Sequence, residues 1–453
     1  MLHSRNASFK HVAAAIRFSP NPLSKAGTFK VAVIGTYAPR KCGIATFTED
    51  LKTKVEEFHP EISFDVYALD RFGSDLSYSP DAHVIAQDDP DAYRLAAERI
   101  NASGVDAVWL QHEYGIFGGP DGRLVIDLID RLAIPLVVTL HTILSTPSAG
   151  QRHVMERLLA RACEVMVMSQ HGRDLLVSLY GVLPKRVTVV AHGAPDRPFG
   201  REEHFKARLG VSNRPVLMTF GLLGPGKGIE HAIEALPAIA KGHPDVLYRI
   251  VGATHPDLVR EQGETYRERL KARVAQLGLE RNVAWDDRFL DTDELLDQLE
   301  ACDVYLTPYP NLQQSTSGTL SYAVALGKAV VSTPYIHASE LLADGVGMLV
   351  PAEKPWAISS AVNTLLSTPG CLKALKMRAY ARGRSTIWEQ FADASASLVE
   401  KAIAGKPTSR GRANGTGRID TSLVVSGEAF SLSGAERLET PGKTSQHSFP
   451  AHP

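Results

Sequence analysis

A single lysine stands at the start of a predicted helix in the second half of the chain. The apolar run Val216–Phe220 predicts a buried strand, which ends in a glycine-rich turn at Gly221. Lys227 and Gly228 follow, and apolar residues then recur at helical spacing over 229–239. Free backbone N–H groups, the positive end of a helix and an ammonium would converge here. This arrangement predicts a site for a nucleotide or another phosphorylated ligand.

The same turn has two alternative explanations, a P-loop and a helix start that binds nothing. Gly221, Gly226 and Lys227 match the G-x-x-x-x-G-K part of a P-loop, but Gly228 stands where that motif needs Ser or Thr to hold Mg²⁺. A glycine turn before a helix can also bind nothing, because such turns are common helix starts. The rest of the chain has to decide between these alternatives.

Polar residues directly follow several predicted strands, and four of them are histidines. A single histidine at a strand end is usually a hydrogen-bonded structural group. The carboxyl ends of parallel strands form one rim of a sheet, however, so four histidines together predict a ligand-binding rim. The rim candidates are Arg40, Gly43, His112, Glu113, His141 and His192 in the first half, and Gly252 and His255 in the second.

The segment 313–327 predicts a second site for an anion or for sugar hydroxyls. Ser317, Gly318 and Thr319 stand just before a predicted helix, where their backbone N–H groups could bind such a ligand. A helix cap formed by serine or threonine is expected there in addition. Glu340 begins another short predicted helix.

Metal and nucleophile patterns are weak in this chain. Asp291 and Asp293 have the D-x-D spacing of metal-dependent sugar transferases, but they open a predicted helix, which favours a helix cap. Asp89 has the same explanation. Cys42 could pair with a rim histidine as in a Cys-His hydrolase, yet nothing in the flanking sequence supports that chemistry. The sequence therefore predicts neither a metal nor a cofactor.

The composition is that of an ordinary globular protein. The 453 residues are 44% hydrophobic and 22% charged, with a formal net charge of −1, which gives no general attraction to nucleic acid. The four cysteines are far apart and include no C-x-x-C pair, which predicts reduced thiols in a cytosolic protein. No apolar run reaches the length that spans a bilayer.

Two α/β halves follow one another along the chain. Continuous apolar strands alternate with helical patterns, which predicts an α/β fold of two doubly wound, Rossmann-like domains facing a central cleft. We expect the first domain over 29–205, with a polar linker over 195–214, the second domain over 206–370, and bracing helices over 371–404.

The two ends of the chain predict accessory segments. Residues 1–28 are basic and contain no acidic residue, which predicts a flexible extension and leaves open a peripheral contact with the acidic lipids of the inner membrane. Residues 405–453 are rich in Ser, Thr, Gly, Arg and Pro and show no sustained period, which predicts a disordered tail.

Taken in order, these motifs resemble those of the family 4 retaining glycosyltransferases, which have the GT-B architecture. The resemblance covers roughly residues 29–400. In the second half, Gly221-Leu222-Leu223 with Lys227-Gly228 resembles G-R-L…K-G, Ile250-Val251-Gly252 resembles I-V-G, the stretch from Tyr322 to Gly327 resembles E-A-x-A-x-G, and Ser339-Glu340 with Asp344-Gly345 resembles P-E-x-x-x-D-G. In the first half, Thr139, His141 and the pair His192-Gly193 match the family pattern.

The chain also departs from the family pattern. Leu222 replaces an arginine that would bind the donor diphosphate, and Gln314 and Tyr322 stand where the family has the two glutamates of E-x7-E. The chain thus resembles a variant subgroup with Q-x-x-S-G-T-L-x-Y. The candidates to supply the missing positive charge are Arg249, Arg288, Arg40 and Lys41.

The resemblance implies a retaining hexosyltransferase. It assigns the sugar nucleotide to the second domain, the saccharide or lipid-linked acceptor to the first, and catalytic roles to His141 and Lys227. GDP-mannose is the favoured donor, ahead of UDP- or ADP-glucose. The predicted donor residues are Gly221, Gly252, Arg288, Gln314, Ser317, Gly318, Thr319, Tyr322 and Glu340. The alternatives are another GT-B enzyme, such as a phosphorylase or sugar-nucleotide epimerase, and a catalytically silent sugar-nucleotide-binding module.

Overall fold

Apolar runs typical of buried strands form two parallel sheets in the computed structural model, which describes residues 28–71 and 73–405. The first domain contains β1 (Phe29–Gly35), α1 (Gly43–Phe58), β2 (Ile62–Asp70), β3 (His83–Ala86), α2 (Pro90–Ala102), β4 (Ala107–His112), α3 (Leu124–Ile129), β5 (Leu136–Leu140), α4 (Ala149–Arg161), β6 (Glu164–Val167), α5 (Gln170–Tyr180) and β7 (Val187–Val189). Its strands lie in the order β3-β2-β1-β4-β5-β6-β7, so the winding direction reverses between β1 and β4.

The second sheet repeats this plan after a short linker helix. The elements are α6 (Glu202–Arg208), β8 (Val216–Phe220), α7 (Ile229–Gly242), β9 (Leu247–Val251), α8 (Pro256–Gln262), α9 (Thr265–Gln276), β10 (Val283–Asp286), α10 (Thr292–Glu300), β11 (Val304–Thr307), α11 (Gly318–Ala325), β12 (Ala329–Ser332), α12 (Ile336–Leu341), β13 (Met348–Leu349), α13 (Pro355–Ser367), α14 (Pro369–Gly383) and α15 (Trp388–Ala404). The order β10-β9-β8-β11-β12-β13 reverses between β8 and β11. The predicted fold of two doubly wound domains is confirmed.

Some elements differ from the sequence-based expectation. The edge strands β3 and β13 are missing from it because most of their residues are not buried, so neither has the continuous apolar run of an inner strand. The linker 195–214 contains α6, whose pattern is polar because only Phe205 and Lys206 are buried. His255, one of the rim candidates, is the N-cap of α8, where its ring accepts the N–H of Asp257 at 3.2 Å.

One apolar cluster joins the two domains. Phe47 on α1, Tyr322 on α11 and Trp388 on α15 all belong to it. Helix α14 packs on α11 and β12 of the second domain, whereas α15 crosses to α1 and the strands β4 to β6 of the first. No helix in the described part of the chain is long and apolar enough to cross a membrane. The expected extensions over 1–28 and 405–453 lie almost entirely outside the described residues.

Buried charges fasten the linker helix α6 to the second sheet. The Asp303 carboxylate accepts from Lys206 at 2.7 Å, from Lys376 at 3.0 Å and from the backbone N–H of Val216. Lys376 also contacts Glu202 on α6 at 3.2 Å. Burial would raise the pKa of Asp303, but the two ammonium groups hold it below its ordinary value.

Polar contacts between described residues connect the domains across the cleft. The Arg71 guanidinium donates to both oxygens of Asp257 at 2.5 and 3.0 Å. The Glu340 carboxylate accepts two backbone N–H groups from the N-terminus of α5, at 2.9 and 2.7 Å. The Tyr322 hydroxyl donates to the Asp50 carboxylate on α1 at 3.2 Å. The structure therefore holds the carboxyl ends of both sheets close together.

Asp303→Asn should strongly destabilise the protein. The change leaves two buried ammonium groups without their main counter-charge, which costs about 3–5 kcal/mol. The exposed pair of Lys30 and Asp65 provides the control, and Asp65→Asn should cost no more than about 1 kcal/mol. Urea unfolding of the three proteins measures both values. Equal losses in the two variants would show that the buried cluster contributes nothing special.

Asp50→Asn should raise the melting temperature at neutral pH. Burial raises the pKa of Asp50 from 3.8 to about 6 in the folded protein. The carboxyl therefore costs no stability below its unfolded-state pKa, an increasing amount as the pH rises towards 6, and its full cost, about 3 kcal/mol, above that.

Calorimetry at pH 4.5 and pH 7.5 tests this expectation. The asparagine variant should melt higher than wild type at pH 7.5, with a much smaller difference at pH 4.5. Glu57→Gln removes an exposed carboxylate near the other end of the same helix and is the control, for which the difference from wild type should change less between the two pH values. A difference for Asp50→Asn that is equal at the two pH values would contradict the assigned direction of the pKa shift.

Candidate active site

The loop after β8 places the Lys227 side chain near the end of β11. Gly221 adopts φ +124°, and a Cβ placed on it would lie 3.4 Å from the Lys227 ammonium. Gly228, at φ +61°, precedes α7, and a Cβ there would lie 2.1 Å from the carbonyl oxygen of Pro308. Both positions therefore require glycine. They allow the loops after β8 and β11 to approach closely at the point where the sheet reverses its winding.

Lys227 lies in a compact polar cluster with residues that follow β11. Its ammonium donates to the Tyr309 hydroxyl at 2.8 Å and lies 4.6 Å from the centre of that ring. The Tyr309 hydroxyl is 3.0 Å from the Thr319 hydroxyl, which is 3.2 Å from that of Ser317. Burial would raise the pKa of Tyr309, but the neighbouring ammonium lowers it overall.

The N-terminus of α11 opens onto this cluster. The Ser317 side chain caps the helix by accepting the N–H of Leu320 at 3.3 Å. The backbone N–H of Ser317 donates to the His337 ring at 2.9 Å, so it is not free for an anion as we expected. Among the described residues, the N–H groups of Gly318 and Thr319 have no hydrogen-bond partner. Two backbone donors thus remain.

Other predicted donor residues lie at the same carboxyl edge with different surroundings. A Cβ on Gly252 would lie 2.1 Å from the Gly221 carbonyl oxygen, so this glycine allows the turns after β8 and β9 to touch. Gln314 is exposed and donates to the Thr316 carbonyl at 2.7 Å. The structure does not bring the Gln314 side chain into contact with Lys227.

Tyr322 and Glu340 contact the first domain. Their partners, Asp50 and the N-terminus of α5, lie across the cleft. Glu340 uses both of its oxygens in this contact. Their predicted contacts with a donor remain predictions, but in this structure both side chains hold the domains together.

Arg249 and Arg288 do not reach the cluster around Lys227. The Arg249 guanidinium donates to Gln298 at 2.7 Å from the middle of β9. Arg288 is held by two carboxylates, those of Asp286 at 2.8 Å and Glu294 at 2.5 Å, at the end of β10. The predicted contact of Arg288 with a donor remains a prediction, because in this structure its guanidinium pairs with these two carboxylates.

His141 and His192 form the wall of the first domain that faces α11. Both rings contact the ring of Phe47, with centroids 4.9 and 5.2 Å away. The carbonyl oxygen of His141 accepts from Ser315 of the second domain at 3.4 Å. A Cβ on Gly318 would lie 2.8 Å from Nε2 of His192, so this ring covers the start of α11.

Burial keeps both of these histidines neutral. It lowers the pKa of His141 to about 3 and that of His192 to about 4. The imidazole of His141 is held by Gln111, with Nε2 and Oε1 3.0 Å apart. Neutral rings add no positive charge to this wall of the first domain.

The structure does not add His112 to this wall. Its ring is fully buried, stacks on Phe117 and has no partner for either nitrogen among the described residues. Glu113 accepts from the Tyr114 N–H at 3.0 Å and from the Thr142 hydroxyl at 2.5 Å, joining the loops after β4 and β5. The predicted rim of four histidines is therefore wrong, because His112 faces the core and His255 caps α8.

The loop after β1 approaches the second domain. Arg40 donates to the Leu69 carbonyl and the Gln87 side chain, both at 3.2 Å, so its charge is held on the first sheet. The Lys41 ammonium lies 5.5 Å from the ring centre of Phe289 across the cleft. Gly43 is exposed at the first turn of α1.

Three residues of the site carry little signal in the local sequence. Tyr309 is one of several polar residues that follow apolar runs, and Asp50 and His337 lie inside helices. Nothing local predicts that they contact Lys227, Tyr322 or Ser317, because these contacts are between distant parts of the chain.

Two predicted helix caps are confirmed, since the Asp291 side chain accepts the N–H of Glu294 and the Asp89 side chain accepts the N–H of Asp91. Among the described residues, no group of three or more His, Cys, Asp or Glu side chains could hold a metal ion.

Two family models match consecutive parts of the chain. The model for glycosyl transferases group 1 matches residues 200–384, and the model for glycosyltransferase family 4 matches residues 73–197. The first of these matches spans the second sheet, and the second spans β3 to β7 of the first sheet.

Curated relatives are similar over much of this region. The D-inositol 3-phosphate glycosyltransferase of Corynebacterium glutamicum is 27% identical over 318 residues, which cover 66% of this chain and 73% of the relative. The Rhodococcus jostii protein of the same name is 27% identical over 283 residues, covering 58% of this chain and 60% of the relative. The mannosylfructose-phosphate synthase of Agrobacterium fabrum is 28% identical over 158 residues, covering 33% and 34%.

Solved structures share the fold. Anabaena HepE in complex with UDP and glucose superposes with a TM-score of 0.65 at 16% identity, covering 82% of this chain and 99% of its own. WaaG, a glycosyltransferase involved in lipopolysaccharide biosynthesis, gives 0.59 at 15% identity, covering 82% and 99%. The two family models, the named relatives and the facing sheets identify the chain as a glycosyltransferase of GT-B architecture with group 1 and family 4 domains.

Proposed function

We propose that this glycosyltransferase moves a hexose from a nucleoside-diphosphate sugar to a saccharide or lipid-linked acceptor, with retention at the anomeric carbon. One observation carries the proposal. The Lys227 ammonium and the free N–H groups at the start of α11 converge where the second sheet reverses its winding, opposite His141 of the first domain. Ligands of doubly wound sheets bind at such a point.

The main catalytic effect is stabilisation of the departing diphosphate. Charge grows on that group as the sugar bond breaks, and fixed donors in a partly buried site stabilise it without reorganising. Lys227 supplies a full positive charge, while Gly318 and Thr319 supply helix N–H groups. In this mechanism these groups take the place of a metal ion.

The first domain provides a neutral surface for the transferred sugar. His141 is partly buried, uncharged and fixed by Gln111, so it can exchange hydrogen bonds with sugar hydroxyls without attracting the diphosphate. The loop at 40–45 borders the cleft on the same side and is our candidate for the acceptor or sugar loop. His192 lies between the two domains and shields the start of α11.

GDP-mannose is the first donor to test, followed by UDP- and ADP-glucose. The name of the Agrobacterium relative, a mannosylfructose-phosphate synthase, is consistent with mannose. The second candidate function is a sugar-nucleotide-binding module without catalysis. It is favoured by Leu222, Gln314 and Tyr322, which replace charged residues of the family pattern. Donor binding with neither transfer nor hydrolysis, across a broad acceptor panel, would support the module.

Lys227→Ala should abolish transfer while the fold stays intact. Loss of one fixed donor to a developing negative charge costs about 100-fold or more in kcat. Lys241→Ala, on the exposed end of the same helix α7, is the matched control and should keep full activity. Turnover with labelled donor and the melting temperature of each variant are measured together. A Lys227→Ala enzyme with wild-type turnover would refute the assigned role.

One class of nucleoside diphosphate should stabilise the native protein selectively. A ligand that binds only the folded state at 100 times its Kd adds about 2.7 kcal/mol of stability, which raises the melting temperature. A thermal-shift screen of GDP, UDP and ADP with their hexose conjugates measures this effect and ranks the bases. Melting temperatures unchanged by every compound at millimolar concentration would count against a sugar-nucleotide site.

A further inference from the structure

The tyrosine after β11 occupies a structurally fixed position. Tyr309 is 2% exposed, and its ring stacks on that of Tyr335 with centroids 5.0 Å apart and planes at 14°. Its carbonyl oxygen accepts the Thr333 hydroxyl at 2.6 Å. A ring packed in this way has a single orientation, so its hydroxyl is a fixed point at the edge of the cleft.

The direction of the hydrogen bonds follows from the chemistry of the groups. An ammonium has only donors, so Lys227 donates to the Tyr309 hydroxyl oxygen at 2.8 Å. The single proton of the tyrosine is then available for the Thr319 hydroxyl, 3.0 Å away. Lys227 keeps two further N–H donors for a ligand. The tyrosine thus connects the cation after β8 to the first turn of α11.

A free lysine side chain has many rotamers, and fixing one of them costs conformational entropy. In this structure the tyrosine fixes it before any ligand arrives, both through its hydroxyl and through the ring face 4.6 Å from the ammonium. A donor fixed in advance loses less freedom on binding and on reaching the transition state.

We propose that Tyr309 is a positioning residue, whose hydroxyl holds the Lys227 ammonium next to the start of α11 so that both act on the same diphosphate. This inference rests on the proposed function of Lys227. It adds a residue that acts through the lysine and that does not itself need to touch the substrate.

A double-mutant cycle separates positioning from packing. Tyr309→Phe keeps the ring and removes only the hydroxyl, and Lys227→Ala removes the group it positions. The probe is whichever of GDP, UDP or ADP binds wild type most tightly, measured by calorimetry. Tyr309→Phe should weaken binding about tenfold in the wild-type background, as expected for losing one hydrogen bond to a charged group. In the Lys227→Ala background the same change should cost less than about twofold.

Tyr335→Phe is the matched control. It removes a buried hydroxyl from the same stack, but that hydroxyl contacts Thr307 at 3.4 Å and not Lys227. We expect its effect on nucleotide affinity to stay within about twofold. If Tyr309→Phe does not fold, Thr319→Val is used in the same cycle, because it removes the second anchor of the Tyr309 hydroxyl.

The outcomes are distinct. The positioning role would be overturned if Tyr309→Phe weakened nucleotide binding by the same factor with and without Lys227, or if Tyr309→Phe and Tyr335→Phe weakened it equally. Either result would leave the proposed function standing. A wild-type protein that binds none of the three nucleotides would overturn the proposed function and this inference with it. A Tyr309→Phe loss that largely disappears in the Lys227→Ala background, with Tyr335→Phe close to wild type, would establish the role.

Discussion

A doubly wound sheet sends the loops after two neighbouring strands in opposite directions, and the space between them is where the second domain places its positive charge. Lys227 reaches this space from the loop after β8, and the N-terminus of α11 reaches it from the segment after β11. The Lys227 ammonium and the N–H groups of α11 can act on one ligand only if they lie close together. Gly221 and Gly228 permit the close approach of the loops, and Tyr309 connects their side chains.

The two domains present different charges to the cleft. The second domain provides a cation and helix N–H groups suited to a diphosphate, whereas the first provides histidines that burial keeps neutral. In the proposed reaction, a second cation on the first domain would compete for the departing diphosphate. Of the two basic candidates after β1, Arg40 is held by Leu69 and Gln87, and Lys41 lies against Phe289.

Polar contacts across the cleft orient the two domains relative to each other. Asp50 accepts from Tyr322, and Glu340 caps α5, so carboxylates at the domain boundary are satisfied by groups of the opposite domain. These bonds are few and partly exposed compared with the apolar cluster that α15 extends between the sheets. The polar contacts therefore set how the two rims face each other, while apolar packing supplies most of the cohesion.

The sequence alone determined the alternation of strands and helices, the glycine turn with Lys227 and the capped start of α11, because these depend on local period and local backbone chemistry. It could not show that His112 turns into the core while His141 and His192 face the cleft, since all three stand at strand ends. Only the tertiary structure joined Tyr309 to Lys227 and gave Ser317 N–H to His337. Such contacts link residues far apart in the chain, and no local pattern encodes which of them meet.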